Sequence, residues 1–285
     1  MTRKTKLMLN SASSLIYQMI TIVCGFILPR FFLSFYGSAV NGLISSITQF
    51  LGFISLAECG VGAVVQSALY KPLANNDMQE VSKIMKSADR FFKRIAYILL
   101  AYIAILMVFY PLITLKSFDY FFTLVLIFVI SISSFVQYYL GMTYRLLLNA
   151  DQLGFIQYSI HSAALILNTV SCILLMKAGT SIQIVKLTTS LIFLIQPLLL
   201  AAIAKRKYKI DHKIQYAEEP IKQKWNGLAQ HIATVVLGNT DTVVLTFLST
   251  LENVSIYAVY HLVVNGVKQI VVSMTNGMQA MLGNM

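Results

Sequence analysis

The chain has 285 residues, of which 57% are hydrophobic and only 12% are charged, and its mean hydropathy is +0.72. Soluble domains carry about 25% charged residues, so this composition excludes an ordinary soluble protein. The formal net charge of +11 raises the alternative of a nucleic-acid partner, which the placement of the basic residues argues against. The sequence therefore predicts an all-α polytopic membrane protein.

Apolar stretches of membrane-spanning length follow one another along the chain. A hydrocarbon core about 30 Å thick is crossed by about 20 apolar residues in a helix. We predict about eight transmembrane helices, at residues 7–28, 40–70, 95–115, 118–140, 154–176, 181–204, 226–250 and 253–275. The second is longer than a bilayer requires, so its end is expected to project from the membrane.

Basic residues are distributed unevenly over the segments that join these helices. With the N-terminus in the cytoplasm, 17 of the 22 Lys and Arg residues fall in inner segments and 3 in outer loops, while Lys186 and Lys268 lie within spans. This asymmetry follows the positive-inside rule and accounts for the net charge without nucleic acid. We predict a multi-pass protein of the inner (cytoplasmic) membrane with its N-terminus in the cytoplasm and no nucleic-acid partner.

Two inner segments are long enough to form structure of their own. Residues 74–94 place apolar side chains at helical spacing between charges, which predicts an amphipathic helix at the inner surface. Residues 205–225 are polar and of mixed charge, which is typical of a cytoplasmic connector. The predicted domains are a six-helix lobe at 1–204, this connector at 205–225, and the first two helices of a second lobe at 226–285.

Polar side chains recur every three or four residues on four of the predicted helices, which places them on one face of each helix. Such faces are either packing surfaces between helices or the lining of a shared hydrated cavity. Their presence on the first two helices of each lobe favours the cavity. The cavity candidates are Ser14, Gln18, Thr21, Asn41, Ser45, Thr48, Glu58, Asp241, His261, Asn265 and Lys268.

Three of these candidates carry a formal charge inside apolar sequence. A charge at the centre of a transmembrane helix costs about 2.5–3.5 kcal/mol on insertion scales and usually faces a cavity or a partner. Glu58, in the stretch SLAECGVGA, either faces the cavity or lies near the inner headgroups. Asp241 and Lys268 either belong to the cavity or form an ion pair between the seventh and eighth helices.

The sequence lacks the common motifs of catalysis and metal binding. It contains no Gly-rich loop ending in Gly-Lys-Ser/Thr, no Gly-x-Ser-x-Gly, no His-Glu-x-x-His and no paired-cysteine motif. The predicted outer loops are too short for a catalytic domain. We therefore predict that the chain is not an enzyme and has no catalytic residues, metal site or cofactor.

Three stretches carry a resemblance to a known family: NGLISSITQFLGFISLAECGVGAVVQSALYKPLA, LLNADQLGFI and NTDTVVLTFLSTLENVSIYAVYHLVV. They resemble Wzx-type polysaccharide flippases, membrane proteins of polysaccharide biosynthesis in the multidrug/oligosaccharidyl-lipid/polysaccharide exporter superfamily. The resemblance runs over essentially the whole chain. It implies two six-helix lobes around a central cavity that alternates between inward-open and outward-open states.

The resemblance also implies a substrate, an oligosaccharide on a polyprenyl diphosphate that moves from the inner to the outer leaflet for export of capsule, O-antigen or another surface glycan. The implied partners are this lipid-linked oligosaccharide, membrane lipids and other polysaccharide assembly proteins. Because a diphosphate prefers cations, Arg30, Arg145 and Lys268 are candidates for contacting it. The chain departs from the family in ending at Met285, just after its eighth helix, and we expect a truncated second lobe.

Other interpretations stay open at this point. An ion-coupled multidrug exporter of the same superfamily predicts a cavity that is more aromatic and acidic than hydroxyl-lined. A truncated fragment that does not transport is a second alternative. A polysaccharide polymerase or ligase is disfavoured, because such an enzyme is expected to carry a large outer loop.

Overall fold

The computed structural model describes residues 3–58, 60–211, 214–216, 219–221 and 228–282. Ten α-helices and one π-helical turn make up most of this described chain, which contains no β-strand. The helices are α1 (Arg3–Gly52), α2 (Ser55–Glu58), α3 (Val61–Ala74), α4 (Met78–Thr114), α5 (Tyr120–Val136), α6 (Met142–Ala150), α7 (Gly154–Lys177), α8 (Ile182–Lys207), α9 (Leu228–Leu248) and α10 (Leu251–Leu282), with the π-turn Gln137–Gly141 between α5 and α6. The predicted all-α class is confirmed.

Long apolar helices dominate the described chain. Five segments are long and apolar enough to cross a membrane: Thr5–Glu58, Met78–Thr114, Tyr120–Ala150, Gly154–Lys177 and Ile182–Lys207. Large apolar side chains stay exposed on them, including 60% of Phe109 and 62% of Leu174, as expected where lipid is the solvent. These helices indicate a membrane-embedded protein, while the count of eight spans and the orientation stay predictions.

The first apolar segment consists of two antiparallel arms. Gly37 interrupts α1 with a φ of 82°, in the left-handed region that glycine adopts without steric cost. Before it, the chain runs alongside α7: Lys6 Nζ lies 2.8 Å from Asp151 at the start of α7, and the Tyr36 hydroxyl donates to the Thr180 carbonyl beyond its end. After Gly37 the chain returns, because the end of α3 lies beside Lys6 again.

These contacts define two ends of the helix bundle, which we call the Asp151 end and the Thr180 end. We call the arms of α1 α1a (residues 3–36) and α1b (residues 38–52). α1 packs against α7 and α10, while α5 packs against both α4 and α8. The two arms therefore connect the α7–α8 side of the bundle with the α9–α10 pair.

One continuous helix replaces two elements that the sequence predicts as separate. The predicted amphipathic helix at 74–94 and the third span at 95–115 form the single helix α4. No glycine or proline breaks the chain where they would meet. The apolar side chains Val81 and Phe92 are fully buried in a cluster with α3 and α6. The apolar stripe thus packs against other helices instead of lying on a surface.

The predicted connector at 205–225 packs on α4 over its described part. Lys86 Nζ donates to the Ile214 carbonyl at 2.6 Å, and the Arg90 guanidinium lies 5.7 Å from the centroid of the Tyr216 ring. Residues 212–213, 217–218 and 222–225 of the connector, together with 226–227 and 283–285 of the predicted third domain, lie outside the described residues. The division into domains stays a prediction.

The stretch SLAECGVGA is where the second predicted span breaks. α2 ends at Glu58, and α3 begins after Gly60, whose φ of 70° again lies in the left-handed region. Cys59 lies outside the described residues. A Cβ on Gly62 would lie 2.9 Å from Glu58 Oε1, so the missing side chain makes room for the carboxylate. The predicted span at 40–70 is therefore three helical pieces.

Candidate functional site

A cavity of about 430 Å³ lies between the two arms of α1 and helices α9 and α10. It gathers six of the predicted cavity residues, which are Gln18, Thr21, Ser45, Thr48, His261 and Asn265. Gln49 and Thr242, which helical periodicity alone does not single out, line it as well. None of the described lining residues is Asp, Glu, Lys or Arg, so we call it the neutral cavity.

Part of the polar lining of the neutral cavity is already hydrogen-bonded and part is free. The Thr48 hydroxyl donates to a carbonyl one turn earlier on its own helix at 2.8 Å, and its lone pairs stay open. The Asn265 amide nitrogen lies 3.0 Å from Nδ1 of His261. The side chains of Gln18 and Ser45 have no hydrogen-bond partner among the described residues. The cavity therefore offers both donors and acceptors to a polar ligand.

A second cavity, of about 550 Å³, lies where α1b meets α5, α8 and α9. Thr48 lines both cavities, so the two adjoin. Lys186 is the one charged side chain among the described residues that line it, and we call it the cationic cavity. Its other hydrogen-bonding side chains, besides Thr48 and Tyr138, are Ser55, Ser133, Ser134, Gln137, Thr189, Ser190 and Asn239.

Lys186 has no anionic partner among the described residues. Its side chain is half-buried and lines the cationic cavity. Its Nζ lies 4.3 Å from the centroid of the Phe32 ring, a cation–π contact worth about 0.5–2 kcal/mol. The free energy of that contact is smaller than the cost of placing a charge inside a transmembrane helix, so it does not fully offset that cost. The signal that could have found Lys186 is its charge within a predicted span.

The π-helical turn Gln137–Gly141 lies beside the cationic cavity. Gln137 lines this cavity, and its side chain has no hydrogen-bond partner among the described residues. Gly141, at the end of the turn, lies against α8, where an added Cβ would come within 2.8 Å of the Pro197 Cβ. Single π-turns inside α-helices are frequent at functional sites. This turn allows close contact with α8 and places Gln137 at the cavity.

Several predicted cavity residues lie outside both cavities. Asn41 is buried, and its amide nitrogen donates to Ser255 Oγ at 2.8 Å, so it joins α1b to α10. Ser14 lies one turn before Gln18 on α1a and does not line either cavity, and neither does Glu58. Of the two interpretations of the polar faces, Asn41 therefore fits a packing surface between helices and not the lining of a cavity.

The charged candidates on α9 and α10 do not pair with each other. The Tyr257 hydroxyl donates to Asp241 Oδ2 at 2.6 Å, and the described chain contains no ion pair between Asp241 and Lys268. Both side chains are exposed, and neither lines the neutral or the cationic cavity. The ion pair considered from the sequence is therefore not formed.

The cations predicted to contact a diphosphate are spread over the molecule. Arg30 is exposed on α1a toward the Thr180 end, and Lys268 is exposed on α10. Arg145 is half-buried on α6, where its charge acts on Tyr138. The structure does not gather these three into one site, and the cation that it places in a cavity is Lys186.

Charged groups join helices at the Asp151 end. Asp151 accepts hydrogen bonds from Lys6 Nζ at 2.8 Å and from Lys207 Nζ at 2.6 Å. The Tyr208 hydroxyl donates to the same carboxylate. Burial acts to raise the pKa of Asp151, but the hydrogen bonds from Lys207, Lys6 and Tyr208 outweigh it and hold that pKa below its usual value. The carboxylate thus ties α1a, the start of α7 and the end of α8 together.

The chemistry of the two cavities is that of binding. They offer hydroxyls, amides, an imidazole and one ammonium. Within the described residues, no group of three or more His, Cys, Asp and Glu side chains is placed to hold a metal ion. The hydroxyls, amides and imidazole can form hydrogen bonds to polar ligands, and the ammonium can also pair with an anion.

Comparison of the chain with protein-family models, with curated proteins and with solved structures finds no match. The functional assignment therefore rests on the two cavities, on the charges around them and on the resemblance seen in the sequence.

Proposed function

We propose that the chain is a multi-pass transporter of the inner membrane that moves an oligosaccharide linked to polyprenyl diphosphate from the inner to the outer leaflet. The observation that carries this proposal is the neutral cavity, in which uncharged polar side chains line a space between apolar helices. The resemblance to Wzx-type flippases supports the same function. The proposed role is transport, with no catalysis.

The neutral cavity suits the glycan part of such a substrate. Sugar hydroxyls lose hydrogen bonds to water when they leave it, and an unpaired polar group in an apolar medium costs roughly 2–7 kcal/mol. The free side chains of Gln18 and Ser45 and the open lone pairs of Thr48 can replace those bonds. The cavity volume of about 430 Å³ lies within the roughly 300–1,000 Å³ of small-ligand sites, so it would hold part of an oligosaccharide at a time.

The lipid part of the substrate needs no cavity. A polyprenyl tail is as apolar as the lipid around the protein, so it can stay in the bilayer while the headgroup crosses. The diphosphate is expected to meet cations, for which Arg30, Arg145 and Lys268 remain the proposed contacts. Arg30 and Arg145 lie toward opposite ends of the bundle, which suits contacts made at the start and at the end of a crossing.

Alternating access is the proposed mechanism. The positive-inside distribution favours a cytoplasmic position for the Asp151 end, and we propose that orientation. There the Asp151 carboxylate joins three helical elements, so breaking those bonds would open that end, and keeping them would close it. Opening and closing at this cluster would expose the adjoining cavities to one side at a time.

The composition of the neutral cavity favours a glycan over a drug-like cation. Its described lining holds one phenyl ring, that of Phe26, and no carboxylate. A multidrug exporter is expected to bind apolar cations through aromatic rings and acidic groups. Drug sensitivity without any defect in surface glycan would make the exporter the better assignment.

The experiment that tests this function measures lipid-linked oligosaccharide in cells. In a strain deleted for this gene, radiolabelled polyprenyl-diphosphate-linked oligosaccharide should accumulate, and surface polymer should be lost. Re-expression of the 285-residue chain should reverse both effects, and the pair of changes Gln18→Leu and Thr48→Val should not. The control is Thr188→Val, which removes a hydroxyl outside both cavities. Normal lipid-linked oligosaccharide and normal surface polymer in the deletion strain would overturn the proposal.

A further inference from the structure

We propose that the cationic cavity binds a carboxylate group, and that the transported glycan therefore contains an acidic sugar. The second half of this statement rests on the proposed function, because only that function makes the ligand a glycan. The first half, a carboxylate site around Lys186, rests on the geometry of the cavity.

The ammonium of Lys186 is a charge without a counter-charge. Its Nζ lies 4.3 Å from the centroid of the neutral Phe32 ring, and the thiol of Cys172 is its other electrostatic neighbour. Buried ammonium groups are normally paired or hydrogen-bonded, because an isolated charge in an apolar interior is costly. Here the side chain is half-buried among apolar helices and lines a cavity of about 550 Å³. An anion entering that cavity would complete the pair.

Hydrogen-bond donors for an oxyanion line the same cavity as the ammonium. The side chains of Gln137 and Ser134 line the same cavity and have no partner among the described residues. A carboxylate has two oxygens that accept hydrogen bonds and no donor, so it can take one bond from the ammonium and others from an amide or a hydroxyl. Gln137 is the first residue of the π-turn. Such local distortions are frequent at functional sites, and here the turn would position a side chain that contacts the ligand.

The number of charges selects the anion. Lys186 is the one charged residue among the described residues of this cavity. One ammonium balances a carboxylate, whereas a diphosphate carries more than one negative charge and favours several cations. The neutral cavity next to it has no charged lining residue among those described. An uncharged sugar would therefore fit the neutral cavity, and a neighbouring uronic-acid residue would fit the cationic one.

The test measures ligand-induced stabilisation of the purified full chain in detergent. Thermal unfolding is followed with a thiol-reactive dye, since Cys24 and Cys172 are buried free thiols. The probes are sodium glucuronate and its neutral counterpart glucuronamide, so that the difference between them reports the carboxylate. We expect glucuronate to raise the unfolding midpoint at a half-saturating concentration about tenfold or more below that of glucuronamide, as charge-assisted hydrogen bonds allow.

Variants of Lys186 assign this difference to one side chain. Lys186→Met and Lys186→Gln should abolish the preference for glucuronate, and Lys186→Arg, which keeps the charge, should retain it. Because removing an unpaired buried charge does not weaken packing, both neutral variants should fold. The control is Lys177→Met, an exposed lysine at the same end of the bundle, which should bind glucuronate as the wild type does.

Three results would overturn the carboxylate site. They are equal binding of glucuronate and glucuronamide, unchanged preference in both neutral variants, and stabilisation by chloride or by pyrophosphate at lower concentrations than by glucuronate. The proposed function fails separately, when the deletion strain accumulates no lipid-linked oligosaccharide. Glucuronate binding with no accumulation would leave the site standing and remove the glycan as its ligand.

Discussion

The neutral and cationic cavities share one wall and differ in charge. Thr48 on α1b lines both. On the side of α9 and α10 the lining is made of uncharged polar groups, while on the side of α5 and α8 an unpaired ammonium is added. The helix α1b therefore lies between a cavity suited to hydroxyl groups and a cavity suited to an acidic group. A ligand that carries both can be held across α1b, while a simple sugar or a simple anion uses one side.

The position of α1b depends on close contacts at its two faces. The Tyr110 hydroxyl donates to Ser46 Oγ at 2.6 Å, and Ser46 Oγ lies 2.7 Å from Thr246 Oγ1. These buried bonds join α1b to α4 and α9. Gly42 approaches α10 so closely that an added Cβ would lie 1.7 Å from the Leu251 carbonyl oxygen. Small residues permit such approaches between membrane helices.

The largest expected effect comes from Gly42→Ala, which would disrupt the neutral cavity, because α10 lines that cavity and does not line the cationic one. The new Cβ cannot fit against the Leu251 backbone, so α10 must move away from α1b. We expect a loss of stability at or above the upper end of the roughly 1–3 kcal/mol seen for overpacked sites, measured as thermal midpoint and monodisperse yield in detergent. Gly238→Ala is the control, because nothing lies within 4 Å of its Cβ position. Equal midpoints for the two variants would contradict this account of α1b.

Asp151→Asn should destabilise the Asp151 end of the bundle and should not affect one cavity more than the other. Losing hydrogen bonds between charged groups is expected to cost roughly 1–3 kcal/mol. The folded-state pKa of Asp151 is lowered, so its stabilisation is fully present above the unfolded-state pKa of about 3.9 and is lost as pH falls through the folded-state value. The thermal midpoint of the wild type should therefore fall as the pH is lowered into the acid range. In the variant, the part of this fall that comes from protonating Asp151 should be absent.

The control for this pH profile is Asp77→Asn. Asp77 caps α4 by accepting a bond from the Glu80 amide, and Asn caps helices about as well as Asp. Its pH profile should follow that of the wild type. An acid-induced fall of the same size in Asp151→Asn as in the wild type would show that another group causes it.

Lys186→Met should remove the difference in charge between the two cavities, because it makes both of them neutral. Without ligand we expect the variant to be more stable than the wild type by about 1–2 kcal/mol, since apolar replacements of buried charges are often stabilising. The loss of the contact with the Phe32 ring keeps this gain small. The measurement is the thermal midpoint in ligand-free buffer, with Lys177→Met expected to match the wild type. A clear loss of stability would mean that the ammonium has a partner in the folded protein.

The smallest expected effect is that of Thr48→Val at the shared wall. This change keeps the shape of the side chain and removes one hydroxyl, so probes bound on either side should weaken by a few-fold, in line with about 0.5–1.5 kcal/mol per hydrogen bond. Binding of glucuronate and of glucuronamide would be compared by their half-saturating concentrations. Thr188→Val removes a hydroxyl with the same bond to its own helix and should change neither. A loss confined to one probe would mean that Thr48 serves one cavity alone.

The sequence predicted long apolar helices of membrane-spanning length, and it singled out six of the residues that line the neutral cavity, because both features follow from local regularities. Apolar length predicts a span, and spacing of three and four residues predicts a shared face. Spacing does not tell which neighbour a face meets. Asn41 and Ser45 lie one turn apart on the same stripe, yet Asn41 bonds to Ser255 while Ser45 reaches the cavity. That choice depends on how α10 packs, which is tertiary information.

The cationic cavity could not be predicted from local pattern. Lys186 shares a face of α8 with Thr189 and Ser190, but that spacing does not tell which other helices this face meets. Its surroundings come from α5 and α1b, and the π-turn that places Gln137 has no signature in the sequence. The continuity of α4 was missed for a related reason, since an amphipathic segment can bury its apolar face against lipid headgroups or against other helices. The structure shows the second outcome at Val81 and Phe92.

The central claim, that this chain moves an acidic lipid-linked oligosaccharide through two adjoining cavities, is tested most directly by reconstitution. Proteoliposomes containing the chain and a radiolabelled polyprenyl-diphosphate-linked oligosaccharide with a uronic acid would be probed with a membrane-impermeant glycosidase. We expect the wild-type chain to make the inner-leaflet glycolipid accessible and Lys186→Met to do so about tenfold more slowly or worse, as for a lost charge-assisted bond. Accessibility no greater than in protein-free liposomes would contradict the account.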